Sequence, residues 1–173
     1  MKLSSAAGCL ALACLMPGAQ AHILLETPQA PVGGAYKATL QVGHGCQGSD
    51  TTRIRVRIPD GVLNVKPQPK AGWTLELTQG RYDKPQMLHG TAVKQGVREI
   101  SWTGDLPDAG YDEFTFHATL SSSLKPGQTL YFPVVQECKQ GVSRWIDTSG
   151  SPQAEPAPSL KLTAPVAGSG HHH

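Results

Sequence analysis

The residue with the most chemistry to offer in this chain is His22, which follows Ala19-Gln20-Ala21. If the chain is cut after Ala21, histidine becomes the first residue. Its α-amine and its imidazole Nδ1 can then close together on one metal ion, and copper favours such nitrogen donors in a near-planar arrangement. The plain alternative is that the residue after a cut is arbitrary. A second imidazole stands in Gly43-His44-Gly45-Cys46, between glycines that allow backbone to come close to another group. Near it in sequence is Cys46, and far from it are Cys138 and Trp145. These five residues, His22, His44, Cys46, Cys138 and Trp145, are the ones that the rest of the chain has to position.

The segment before His22 has the layout of a secretion signal. Lys2 supplies the positive end, Ala6 to Met16 the apolar run, and Ala19-Gln20-Ala21 the small-residue cleavage site. Residues 1–21 are therefore expected to be removed, taking Cys9 and Cys14 with them, and the mature protein is expected in the periplasm. A lipid anchor through Cys14 is the lesser alternative. Removing 21 of 173 residues leaves 152, enough for one domain with a core of its own, here 22–166. Beyond Val166 the chain ends in Gly168-Ser169-Gly170 and three histidines, read as a linker and affinity-tag remnant over 167–173, with a native metal-binding tail as the alternative. A formal net charge of +2 is too mild to argue for nucleic acid or an anionic membrane.

Export leaves Cys46 and Cys138 in an oxidising compartment, where an isolated pair forms a disulfide. Closing a loop of roughly 90 residues is worth on the order of 4 kcal/mol in the chain-entropy account. A redox or metal-binding thiol pair is the competing reading, and the spacing is nothing like Cys-x-x-Cys.

The elements are strands. Arg53 to Ile58 alternates so that Ile54, Val56 and Ile58 face a core and three arginines face water; an anion-binding stripe is the alternative use of those arginines. The same reading applies to Tyr36–Val42, Trp73–Leu77, Arg98–Trp102, Glu113–Leu120, Thr129–Val135, Val142–Trp145 and Leu160–Leu162, separated by turns rich in Gly, Pro, Asp and Lys. No window has a helical period with caps. The fold expected is all-β, an antiparallel β-sandwich of Ig-like or cupredoxin-like kind with one disulfide. From Thr148 a Ser-, Gly-, Pro- and Ala-rich segment is expected to run extended before the last strand. On the strand Glu113–Leu120, period two puts His117 on the face opposite Phe114 and Phe116, hence toward solvent. His89 reads as a structural residue at a strand end or turn.

Taken together these pieces resemble the YcnI-like family of exported bacterial copper-binding domains, formerly a domain of unknown function. The matching residues are Ala21-His22, Val42 to Ser49, Thr51-Thr52 leading into Arg53 to Pro59, Lys66 to Trp73, Ile100 to Trp102, Tyr111 to Phe114, and Cys138 with Trp145. The resemblance implies a copper site built as a mono-histidine brace: an N-terminal histidine giving amine and imidazole, a carboxylate from the loop after the second strand, and a tryptophan close to the metal. His22 and Trp145 match residue for residue. No acidic residue matches the carboxylate, and His44 stands nearest to its place, which would make a two-histidine site; Glu26 and Asp50 are the next donors to consider.

The function expected is periplasmic Cu(II) binding for copper handling, whether delivery, sequestration or homeostasis, by a metal-binding or chaperone protein rather than an enzyme. Its partners would be the copper ion and another periplasmic or membrane copper protein. Only Met87 survives cleavage, so the thioether cluster that selects Cu(I) is missing. A copper-dependent oxidase or monooxygenase is one alternative, weakened by an aromatic content of 6% with little to build a sugar platform. A metal-free structural or adhesion sandwich is the other.

Overall fold

Alternating sequence becomes alternating burial along β-strands, and the computed structural model shows this in residues 22–88, 90–151 and 155–165, the residues it describes. The expected signal segment, His89 and the tail from Val166 onward lie outside the described residues. In chain order the strands are β1 (Leu24–Leu25), β2 (Gln29–Pro31), β3 (Ala35–Val42), β4 (Thr51–Arg57), β5 (Val62–Pro67) and β6 (Thr74–Leu88). They continue with β7 (Thr91–Leu106), β8 (Asp112–Leu120), β9 (Thr129–Tyr131), β10 (Val134–Cys138), β11 (Val142–Trp145) and β12 (Ser159–Thr163). No helix occurs among the described residues.

One sheet has the order β1-β3-β8-β5 and the other β11-β10-β4-β7-β6, with a small third sheet β2-β12-β9 closing one side. Every ladder is antiparallel except the short β2–β12 pair. The core lies between the two large sheets. Ile54 and Val56 of β4, with Ile100 and Trp102 of β7, contribute to the same buried cluster as Leu40 of β3 and Phe114 and Phe116 of β8. Trp102 and Phe114 meet at a ring separation of 5.4 Å, and Trp73 packs edge-on against Phe114 at 4.8 Å. Burying aromatic rings of this size is the largest single source of stabilisation that such a sandwich has.

The outward arginines of β4 do not form an anion-binding stripe. Arg55 lies between Glu137 of β10 at 2.9 Å and Glu99 of β7 at 3.7 Å, and Arg53 reaches Glu76 of β6 at 3.2 Å while its Nε donates to the Ser101 hydroxyl. Opposite charges on neighbouring strands thus fill the wet face, as cross-strand pairing favours.

Two features depart from the sequence reading. The strands expected at Trp73–Leu77 and Arg98–Trp102 are the inner halves of a long hairpin, β6–β7, whose outer part is mostly exposed and broken by register shifts, and therefore carries no regular alternation to read. Pro85 is accommodated there because β6 is an edge strand, where a missing N–H costs no ladder bond. The run Thr129–Val135 divides into β9 and β10, which join different sheets, and Pro133 lies at the break.

Candidate functional site

The loop between β3 and β4 carries His44, and its shape follows from its glycines. Gln47 and Gly48 both have positive φ, 51° and 86°, and Cys46 and Ser49 exchange backbone hydrogen bonds of 2.9 and 3.0 Å across them. That is the two-residue turn of mirror-image type, which glycine at its second central position favours. Gly45 allows the loop to close: a Cβ there would stand 1.9 Å from the Ser49 carbonyl oxygen. Its N–H instead donates to Asp108 Oδ1 at 3.0 Å.

Cys46 and Cys138 are joined, with Cα atoms 6.0 Å apart, as expected from the sequence. The disulfide ties the His44 loop to the end of β10. A polar network ties it again: Asp50 accepts from the Asp108 N–H at 2.9 Å and from the Lys139 ammonium at 2.8 Å, and Lys139 also reaches Asp105 at 3.0 Å. The hydrogen bond from Lys139, and then that from Asp108, hold the Asp50 carboxyl below the usual carboxylate range. Asp50 and then Asp105 push the Lys139 ammonium up in return.

Trp145 ends β11, the edge strand of the five-stranded sheet, and is buried apart from a small fraction of its surface. The ring of His22 stands edge-on to its indole at 5.7 Å, and the ring of His44 at 6.2 Å. Two half-buried imidazoles, one from the first described residue and one from the β3–β4 loop, therefore share one indole at one end of the sandwich. The His44 Nδ1 lies against the Gly45 carbonyl, which only accepts, so Nδ1 is the donor of that contact. A backbone carbonyl orienting one nitrogen while the other faces a ligand is the usual arrangement of a metal-binding histidine.

Of the other candidates, His117 is exposed on β8, as its parity requires, opposite Lys37 on one neighbouring strand and Lys66 on the other. Asp50 is engaged at both oxygens, and Glu26 is exposed directly after β1. Beside His44 and Trp145 a cleft of about 350 Å³ is lined also by Asp108, Ser143 and Glu155, and Glu155 accepts the Arg144 backbone N–H at 2.6 Å. A larger cleft of about 590 Å³ lies elsewhere, where Lys70 and Asp112 satisfy each other at 2.5 Å. Among the described residues no three His, Cys, Asp or Glu side chains converge as a ready-made metal cage.

The sequence reading missed Gln136, whose Oε1 accepts the Trp145 indole N–H at 3.0 Å. Its signal was available, since Gln136 has the inward parity of Val134 on a strand whose inward positions should be apolar. Asp108 and Glu155 carried no such signal, because loops have no period.

The family description "Domain of unknown function (DUF1775)" matches residues 22–162. Among solved structures, an uncharacterized protein from Nocardia farcinica, described as having an immunoglobulin-like fold, aligns with a TM-score of 0.58 at 24% identity, over 82% of this chain and 98% of that one. The seventh ScaB type I cohesin from Pseudobacteroides cellulosolvens aligns at 13% identity with a TM-score of 0.41, over 88% and 97% of the two chains. No functionally curated protein matches.

Proposed function

The chain belongs to the DUF1775 family, and from that premise we propose that it is a YcnI-like periplasmic copper-handling protein that binds Cu(II) through an N-terminal histidine brace. The observation that carries the reading is the convergence of His22 and His44 on Trp145, at 5.7 and 6.2 Å. The Cys46–Cys138 disulfide and the β10–β11 hairpin carry the His44 loop to Trp145, and His22 reaches the same indole from the first described residue.

The donor set fits the metal. No third His, Cys, Asp or Glu completes a cage among the described residues, and a brace requires none, because its third nitrogen is the α-amine of His22 itself. His22 would give amine and Nδ1, and His44 would give Nε2, its Nδ1 being turned to the Gly45 carbonyl. Both cysteines are spent in the disulfide, and Met87 is on the distal part of β6, so neither thiolate nor thioether competes. Such an all-nitrogen set favours Cu(II). Bound copper would supply a tightly held cargo, and the chain's own part is to present two preset imidazoles against a rigid, water-excluding wall. Delivery or sequestration follows from that better than catalysis does.

Processing makes the ligand. The amide nitrogen of an internal His22 has given its lone pair to peptide resonance, whereas a free α-amine keeps it. Competitive Cu(II) titration of protein beginning at His22, beside a variant with one extra N-terminal residue and a His44→Ala variant, all lacking residues 171–173, is the test. The extra residue is expected to abolish the tight site and His44→Ala to weaken it and change its paramagnetic resonance spectrum. Equal affinities with and without the extra residue would refute the brace.

A further inference from the structure

Gln136 is fully buried, and it is the one amide among the buried polar side chains of the described residues, the others being hydroxyls. It points inward from β10, where an apolar residue of the same size would fill the space without the cost of desolvating an amide. Every strong valence it has is used. The indole N–H of Trp145 can only donate, so Oε1 must face it, at 3.0 Å. The orientation of the amide is thereby decided, and its two protons go to the His44 carbonyl at 2.7 Å and to the Thr51 hydroxyl at 2.8 Å.

One side chain thus joins the wall of the candidate site to the main chain of one of its ligands. From these contacts we infer that Gln136 is the positioning residue of the copper site, an inference that rests on the reading above. It sets the plane of the Trp145 indole against which both imidazoles stand, and it holds the His44 main chain through its carbonyl. The bond to Thr51, itself fully buried on β4, anchors this pair to the centre of the five-stranded sheet. The disulfide fixes the loop two residues further on, and Gln136 fixes it at the ligand itself. A purely structural role would concern only folding; a positioning role also tunes the metal, as partners behind metal ligands do.

The test uses processed protein, beginning at His22, and two variants. Gln136→Met keeps the volume and removes all three hydrogen bonds; Thr51→Val keeps the shape and removes one. Circular dichroism reports the fold, the indole N–H resonance reports the Trp145 bond, and competitive Cu(II) titration with electron paramagnetic resonance reports the site. Folded Gln136→Met is expected to shift the indole resonance, to lose about 10- to 100-fold in Cu(II) affinity, and to change the resonance parameters of the bound ion. Should it not fold, Thr51→Val reads the same coupling and is expected to lose severalfold in affinity with an altered spectrum. Affinity and spectrum unchanged in the folded variants, while wild type binds tightly, would remove Gln136 from the site and leave the copper reading standing. A wild type that binds Cu(II) no better than its His22→Ala variant would overturn the copper reading, and this inference with it.

Discussion

Substituting Gly45 by alanine is the sharpest probe of how the loop holds His44. The added Cβ would lie 1.9 Å from the Ser49 carbonyl oxygen, 2.8 Å from its carbon and 3.0 Å from Asp108 Oδ1. Backbone blocks it on one side, so a rotamer change cannot relieve the clash. Ser49 must move, and with it the reciprocal bonds between Cys46 and Ser49, or Gly45 must move and release its N–H from Asp108. Overpacking of this kind costs about 1–3 kcal/mol, and each hydrogen bond given up about 1 kcal/mol more. A loss of about 2–4 kcal/mol follows, which for a domain of this size lowers Tm by roughly 5–15 °C. The control is Gly34→Ala, where the nearest atoms are at 3.6 Å and the backbone is not left-handed; it is expected within about 1 kcal/mol of wild type, on the stabilising side. Urea and thermal denaturation of both variants with the disulfide intact measure the difference, and the Gly45 variant is also expected to bind Cu(II) more weakly. A Gly45→Ala protein as stable as Gly34→Ala would refute the account of the loop.

Mass spectrometry of non-reduced protein is expected to show Cys46 joined to Cys138, and a Cys46→Ser/Cys138→Ser protein is expected to lose about 4 kcal/mol of stability in denaturation, since the bond closes a separation of 92 residues. The Asp50 carboxyl is held low by Lys139, so its contribution is present above the ordinary carboxylate pKa and lost as pH falls through its depressed value. The protection of the Asp108 amide, whose N–H bonds to the Asp50 carboxylate, is expected to fall in that acid window before the core opens, measured by hydrogen exchange against the intrinsic rate, and Asp50→Asn is expected to remove the dependence.

Period-two alternation made the core strands legible. The faces of β4 and β8 are as read, with Ile54 and Val56 inside and His117 outside, because a strand's alternation is written in adjacent residues and needs no partner to be seen. The disulfide was legible for a different reason: with the segment expected to be a leader set aside, two cysteines have only each other. His22, His44 and Trp145 could be named one at a time from residue chemistry and resemblance. The β6–β7 extension could not, since it is mostly exposed and its register shifts break any period, so pairing between the two strands specifies it rather than a pattern within either.

What the tertiary structure alone decided is who meets whom. The β10–β11 hairpin that sets Trp145 beside Gln136 joins consecutive strands, but chain order says nothing of the pairing of β10 with β4 that sets Gln136 beside Thr51, across 85 residues of sequence. The charges of the arginine strand were visible as a stripe, but only the neighbouring strands showed that glutamates neutralise two of them. The disulfide and the β10–β11 hairpin bring His44 toward Trp145 in a way the sequence foreshadows, whereas the arrival of His22 at the same indole depends on how the first strand is placed, and no local preference encodes that. Residue type determined which groups can do chemistry here; long-range strand pairing, stabilised by a core between two sheets, determined which of them can do it together.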